Sequence, residues 1–213
     1  MTEDEARAWI ATQLDVPRET WAKLERYVAL LRAGMESQNL IAESTWPHVW
    51  ARHITDSAQL IPLAREAVNG NWIDLGSGAG LPGLVAAMLG DRPVLLVESR
   101  RLRAAFLTSV KEELSLANVT VHHGKVQHVP SQRAAVVSAR AYAPLHALLG
   151  SAEHLSGDKT LWLLPKGRNA QIELEAAHPA WQGVFHVEPS VTDAESAIIV
   201  ARSVAARRMK GGT

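Results

Sequence analysis

The sequence predicts an α/β fold: a seven-stranded, mostly parallel sheet ending in an antiparallel hairpin, behind an N-terminal helical extension. Three observations carry that expectation. Short apolar runs alternate with helical stretches from residue 70 onward, the pattern of a parallel sheet covered on both faces. A glycine cluster follows the first of these runs and opens the next helix. The first 65 residues lack such runs and show helical spacing instead.

In chain order, Asp15 is expected to cap a helix with Pro17 in its first turn, where a missing N–H costs least. Trp21, Leu24, Val28, Leu31 and Met35 then recur in steps of three and four, one apolar face. A second helix is expected from Thr45, with Pro47 early, through Val49, Trp50, Ile54 and Ala58. Four of the seven tryptophans fall in this N-terminal third, where they are expected to anchor helices to a core. Strands are read at 72–75, 94–97, 119–121, 135–137, 161–164, 184–187 and 198–201. Helices are read at 84–89 and 101–114, the second with Leu102, Phe106, Val110 and Leu114 every four residues. Only the turn-rich stretch 188–195 separates the last two strands, hence the hairpin. The domains follow: 1–68 a helical extension packed on the core, 69–204 the sheet domain, 205–213 a basic, disordered tail.

Composition narrows the chemistry. With no cysteine, disulfides, Cys-ligated zinc, iron–sulfur clusters and thiol nucleophiles are excluded. No spacing of His, Asp and Glu compels a metal, so none is expected. The acidic start, Met1 to Glu5, has no apolar stretch of a secretory signal, and no run approaches 18 apolar residues, so a cytoplasmic protein with no membrane partner is expected. The formal charge of zero is unevenly divided. Residues 1–97 hold 8 basic and 12 acidic groups, whereas residues 98–172 hold 10 and 5. A local basic surface for phosphates is compatible with that pattern.

Gly76-Ser77-Gly78-Ala79-Gly80-Leu81-Pro82-Gly83 meets both G-x-G-x-G and, from Gly78, G-x-G-x-x-G. Bare backbone at a helix start lets a ligand lie close. Glu98 ends the second strand, 22 residues after Gly76, where a carboxylate can accept from a ribose diol. Together they point to an adenosine-containing cofactor, NAD(H) or S-adenosylmethionine. About 70 residues precede the loop and one sheet uses up the rest, leaving no separate substrate domain. The layout resembles the Rossmann-like class I S-adenosylmethionine-dependent methyltransferases.

An ordered series of motifs then resembles one family over residues 21–202, the bacterial 16S ribosomal RNA guanine-N7 methyltransferases (RsmG, or GidB). The series is Asn39-Leu40; Arg52-His53 with Asp56-Ser57; Asp74 through Gly83; Glu98-Ser99 with Arg101 and Phe106-Leu107; Ser138-Ala139-Arg140-Ala141; and Lys166-Gly167. The resemblance implies S-adenosylmethionine as cofactor, with Gly76 and Leu81 lining its site beside Ser77, Gly78 and Gly80, and Glu98 on the ribose. It places Val126 and Gln127 by the adenine and Arg140 at the cofactor site. Lys125-Val126-Gln127-His128 stands where the family often has Arg-x-Glu-Glu, and Ile41 where it usually has Thr.

The implied substrate is a guanine in the 530 loop of 16S ribosomal RNA, free or within the small ribosomal subunit, and the enzyme is expected to be a monomer. Guanine N7 already presents a lone pair, so positioning and exclusion of water matter more than a general base. No catalytic acid or base is therefore expected; Arg140 and Lys166 are candidates near the reacting base. The missing cysteine argues against pyrimidine C5 transfer, and Ser138 to Tyr142 lacks the Pro-Pro-aromatic segment usual for exocyclic amines. Arg100, Arg101 and Arg103 open a helix, where cations oppose its dipole, which suggests an anionic partner such as RNA phosphates. With Arg52, His53 and Lys166 they form the expected RNA-binding set.

Overall fold

The computed structural model describes residues 1–207, so residues 208–213 of the expected tail lie outside the described residues. Helix α1 (Glu3–Leu14) opens on a capping box: Thr2 Oγ1 accepts from Glu5 N, and the Glu5 carboxylate accepts from Thr2 N. Asp15 does not cap the next helix. It ends α1 in the left-handed conformation, φ 46°, which Asp tolerates better than most residues, and Pro17 takes the N-cap of α2 (Arg18–Met35). Helix α2 buries Leu24, Tyr27 and Leu31, with Trp21, Val28 and Met35 at the edges of that face.

The second expected helix is broken into pieces. A 3₁₀ turn (Glu43–His48) leads into a π-helical turn (Trp50–Thr55), then α3 (Asp56–Ala58) and α4 (Leu60–Ala64). The side chain of Glu3 reaches across from α1 and accepts from the N–H groups of Trp50 and Ala51, at 3.0 and 2.9 Å. Donors that the widened turn leaves free are satisfied by a neighbouring helix.

The seven strands are β1 (Trp72–Leu75), β2 (Val94–Glu98), β3 (Val119–His123), β4 (Val136–Ser138), β5 (Leu161–Lys166), β6 (Trp181–Pro189) and β7 (Ala197–Ala206). Their order is β3-β2-β1-β4-β5-β7-β6, with β1 to β5 parallel and β7 antiparallel to both neighbours. Strand β7 runs two residues past the expected boundary at 204, and Arg207 N still donates to Ala180 O, so the pairing reaches into the segment read as tail.

Alternate residues divide the core in two. Trp72, Val94, Leu96, Val136, Leu161 and Leu163 face α5 (Gly83–Leu89), α6 (Arg101–Glu113) and the N-terminal helices. Ile73, Leu75, Val97, Val137, Trp162 and Leu164 face α7 (Leu145–Ala152) and α8 (Ala170–Ala177). Each such aliphatic side chain, removed from water, contributes roughly 1.5–3 kcal/mol before the entropy of ordering is counted. On α6 the buried side is Ala104, Leu107 and Val110; Leu102 is 54% exposed, because a strict step of four drifts off one helix face. After β1 the chain crosses to the first face and after β4 to the second, so a crevice opens between their carboxyl ends, the usual ligand position in such sheets.

Candidate functional site

The glycine loop leaves Leu75 at the end of β1. Gly76 is left-handed, φ 64°, and a Cβ there would stand 2.5 Å from Tyr142 Cδ2, so conformation and space both require glycine. Ser77 closes the turn: its N–H donates to Val97 O and its hydroxyl to Asp74 O. Glu98, buried at the end of β2, accepts Gly78 N on one carboxylate oxygen and Arg100 N on the other, both at 2.8 Å. Each oxygen keeps acceptor capacity for a further donor. Tyr27 OH donates to Ala79 O at 2.8 Å, so α2 holds the loop from behind.

Asp74 received no role from the sequence, although it stands in the quoted motif. It is fully buried. Ser138 Oγ donates to Oδ1 at 2.6 Å, Gly83 N donates to Oδ2 at 3.2 Å, and Trp72 Nε1 donates to Ser138 Oγ at 2.8 Å. Burial pushes the carboxyl up to about 6 against these hydrogen bonds. It therefore fastens β1 to β4 and to the start of α5. An acid within an otherwise apolar strand was the one signal for it.

Two cavities meet at Tyr142, one of them bordered by the loop at Gly76. The smaller, about 230 Å³, is bordered by Gly76, Val97, Ser99, Gly124, Lys125, Val126, Gln127 and Tyr142. It brings together the residues expected around an adenine, with Val126 buried and Gln127 at the rim. The larger, about 630 Å³, is bordered by Leu40, Ile41, Thr45, Arg52, His53, Asp56, Arg140, Tyr142, Lys166, Glu173 and Asp193 among others. Arg140, expected at the cofactor, lies in this larger space. Ser77, Gly78, Gly80, Leu81 and Glu98, also expected at the cofactor, border neither cavity; Ser77, Gly80, Leu81 and Glu98 are buried and Gly78 is half-buried.

Every cation of the expected set in the larger cavity has an acidic partner: Arg52 with Asp193 at 3.0 Å, Arg140 with Asp56 at 3.2 Å, Lys166 with Glu173 at 2.7 Å. Lys166 is only 11% exposed and also donates to Ala143 O, so it is no loose surface lysine. The Arg140 guanidinium further donates to Arg52 O and to His53 Nδ1. Because Arg only donates, Nδ1 must accept, so the proton sits on Nε2 and points at Thr45 Oγ1, 2.7 Å away. Burial, then the charges of Arg140 and Arg52, hold the His53 ring down to about 3, so it is neutral near pH 7.

The remaining expected cations lie elsewhere. Arg100 and Arg101 are exposed at the start of α6, outside both cavities. Arg103 lies between: its guanidinium donates to Asn39 O at 2.7 Å and approaches Gly78. Among the described residues, no group of three or more His, Asp or Glu side chains could hold a metal, and no helix is long and apolar enough to cross a membrane.

The fold is shared with solved methyltransferases. A glycopeptide N-methyltransferase, MtfA, complexed with sinefungin superposes with a TM-score of 0.60 at 10% identity, over 70% of this chain and 93% of that one. An S-adenosylmethionine-dependent methyltransferase from Aquifex aeolicus gives 0.56 at 12% identity, over 73% and 92%. Sequence relatives are far nearer. Ribosomal RNA small subunit methyltransferase G of Rhizorhabdus wittichii is 53% identical over 209 residues, covering 97% of this chain and 95% of the relative. Its namesake in Sphingopyxis alaskensis is 50% identical over 206 residues, covering 97% and 88%. The family described as rRNA small subunit methyltransferase G (GidB) matches residues 20–201, and this chain belongs to it.

Proposed function

We propose that this chain transfers a methyl group from S-adenosylmethionine to N7 of a guanine in the 530 loop of 16S ribosomal RNA, as a cytoplasmic monomer. The carrying observation is the pair of cavities that meet at Tyr142, one bordered by Gly76, Val97, Val126 and Gln127, the other lined by balanced charges. The bare loop backbone, the Val97 and Val126 walls and the remaining acceptor capacity of Glu98 fit an adenosine group with a ribose diol. When bound, S-adenosylmethionine would supply a sulfonium methyl carbon open to in-line attack by an acceptor lone pair, the C–S bond breaking to leave a neutral thioether.

The chain's own residues orient and enclose. Glu98 takes the ribose hydroxyls while holding Gly78, so cofactor and loop order together. Val126 and Gln127 meet the adenine. His53 is no general base: Nδ1 is spent on Arg140 and Nε2 already carries a proton. Guanine N7 has no proton to lose, so none is needed. Methylation there leaves the purine cationic, and Asp56, Glu173 and Asp193 keep Arg140, Lys166 and Arg52 from repelling that charge. Arg100, Arg101 and Arg103 then contact RNA phosphates outside the cavities, where position rather than base identity is set. Residues 1–68 serve as a wall of the substrate cavity and 69–204 as the methyltransferase domain.

Mass mapping of 16S ribosomal RNA from a deletion strain, with and without the gene restored, tests the reading. Loss of one 530-loop N7-methylguanine that the gene restores, and a Glu98→Ala gene does not, is expected. An unchanged methylation pattern would refute it in favour of a non-catalytic assembly factor.

A further inference from the structure

Transfer requires the acceptor atom and the methyl carbon to approach within about 3–3.5 Å, so the two cavities must be joined where they adjoin. Among the described residues one borders both, Tyr142. Its placement is built into the chain after β4. Arg140 is tied back to Arg52, His53 and Asp56, and Ala141 follows in the left-handed region, φ 51°, which residues with a Cβ disfavour. The reversal brings the Tyr142 ring against Gly76 and its hydroxyl 3.3 Å from Ser151 Oγ on α7. The ring is half-buried.

We propose that the Tyr142 ring is the surface on which the acceptor base stacks, holding it beside the glycine loop. The inference rests on methyl transfer to an RNA base as proposed above and adds the residue that positions that base. Three observations favour stacking over a polar contact. Arg140 donates to Arg52 O, Asp56 and His53, and Lys166 to Ala143 O and Glu173, so these two cations beside Tyr142 offer a base little unspent hydrogen bonding. The tyrosine hydroxyl is directed to Ser151, which leaves the flat ring as what the residue presents to the cavities. Among the described residues it is also the sole Phe, Tyr or Trp bordering the larger cavity, where an extruded base would need an aromatic platform.

The test uses the full chain with Tyr142→Phe, Tyr142→His, Tyr142→Leu and Tyr142→Met. Methyl transfer from S-adenosylmethionine to small ribosomal subunits of the deletion strain is followed at saturating cofactor, and cofactor affinity is measured by calorimetry. Stacking predicts a flat-ring order. Leu and Met should lose about 5- to 100-fold in kcat/KM for the subunit, Phe should lose less than about threefold, and His should fall between. Tyr142 also borders the cofactor cavity, so affinity is measured for each variant and should fall by a similar factor in Leu and Met, leaving the stated loss in kcat/KM at saturating cofactor. Cofactor binding also reports that each is folded, and should Leu not fold, Met supplies the same comparison. Leu or Met matching Phe would overturn the proposal, as would a loss that follows cofactor affinity alone. The ratios are read on whichever base the wild type methylates. A product other than N7-methylguanine therefore overturns only the proposed acceptor, whereas a wild type that methylates no RNA overturns both readings.

Discussion

Tyr27→Phe removes one oxygen from the interior and should be felt at the ligand site. Tyr27 is fully buried in α2, and burial pushes its hydroxyl far above the usual phenol range, so it stays protonated and able to donate. That donor meets Ala79 O, itself in the buried part of the glycine loop, at 2.8 Å. The phenylalanine ring fills the same space, so no appreciable cavity forms, and the cost is that of a carbonyl deprived of its partner where water does not reach. Such a group costs about 1–3 kcal/mol. For a chain of this size about 2 kcal/mol lowers Tm by roughly 4–8 °C. Urea unfolding followed by tryptophan fluorescence should show a lower midpoint with an unchanged slope, since the surface exposed on unfolding is the same. Calorimetric titration with S-adenosylmethionine should show weaker binding, because the loop must now be ordered without its anchor on α2. A stability change below about 0.5 kcal/mol together with unaltered cofactor affinity would show that α2 does not hold the loop, and would refute the reasoning.

Other substitutions separate the parts of the site. Glu98→Ala strands Gly78 N and Arg100 N and should weaken S-adenosylmethionine binding at least 100-fold, whereas Arg101→Ala should leave it within twofold and weaken binding to small subunits, with a shallower salt dependence; equal loss of cofactor affinity in both would contradict the assignment. Gly76→Ala forces a left-handed alanine against Tyr142 and should cost about 1–2 kcal/mol in thermal unfolding and most cofactor affinity; a neutral variant would mean that the ring is not seated there. Since His53 is held down at about 3, its contribution is fully present above pH 6.5 and is lost as pH falls from there towards 3. His53→Gln keeps an acceptor for Arg140 and a donor for Thr45 but has no proton to gain, so its stability should fall less between pH 7 and 5. Melting curves that fall in parallel would show that His53 does not remain neutral on folding. Asp74, raised to about 6, acts in the opposite sense: its contribution is present below pH 3.8 and lost as pH rises to about 6. Asp74→Asn should therefore steepen the acid-side loss, by an amount on the order of 3 kcal/mol across that interval; an unchanged profile would show that the carboxyl titrates normally.

Strand positions were legible because each is a short apolar run closed by turn residues, and because both faces of a central strand such as β1 are buried. Helix faces were harder to read. On α6 the buried positions include Ala104, whose small side chain gives little hydrophobic signal, while Leu102 mimicked a repeat and points to solvent. Asp15 suits either end of a helix, and only the surrounding chain selected the C-terminal role. The π-helical turn at Trp50–Thr55 depends on Glu3, 47 residues away from Trp50, which no local pattern reports. At the site, the loop and Glu98 were visible as motif and spacing. Pairing of the cavity cations was not, since Arg52 with Asp193 and Arg140 with Asp56 join residues more than 80 positions apart. Tyr142 was quoted only for what its segment lacked, because its seat on Gly76 exists only after β1 and β4 have come side by side.

The bond from Glu3 to Trp50 and Ala51 makes the opening residues a tether for one wall of the larger cavity. Arg52 and His53 are carried on the turn that this carboxylate secures, so a fusion or deletion at the amino end pulls on residues that border the larger cavity. Proteins tagged there should be compared with versions tagged at the far end before a low activity is ascribed to the chemistry.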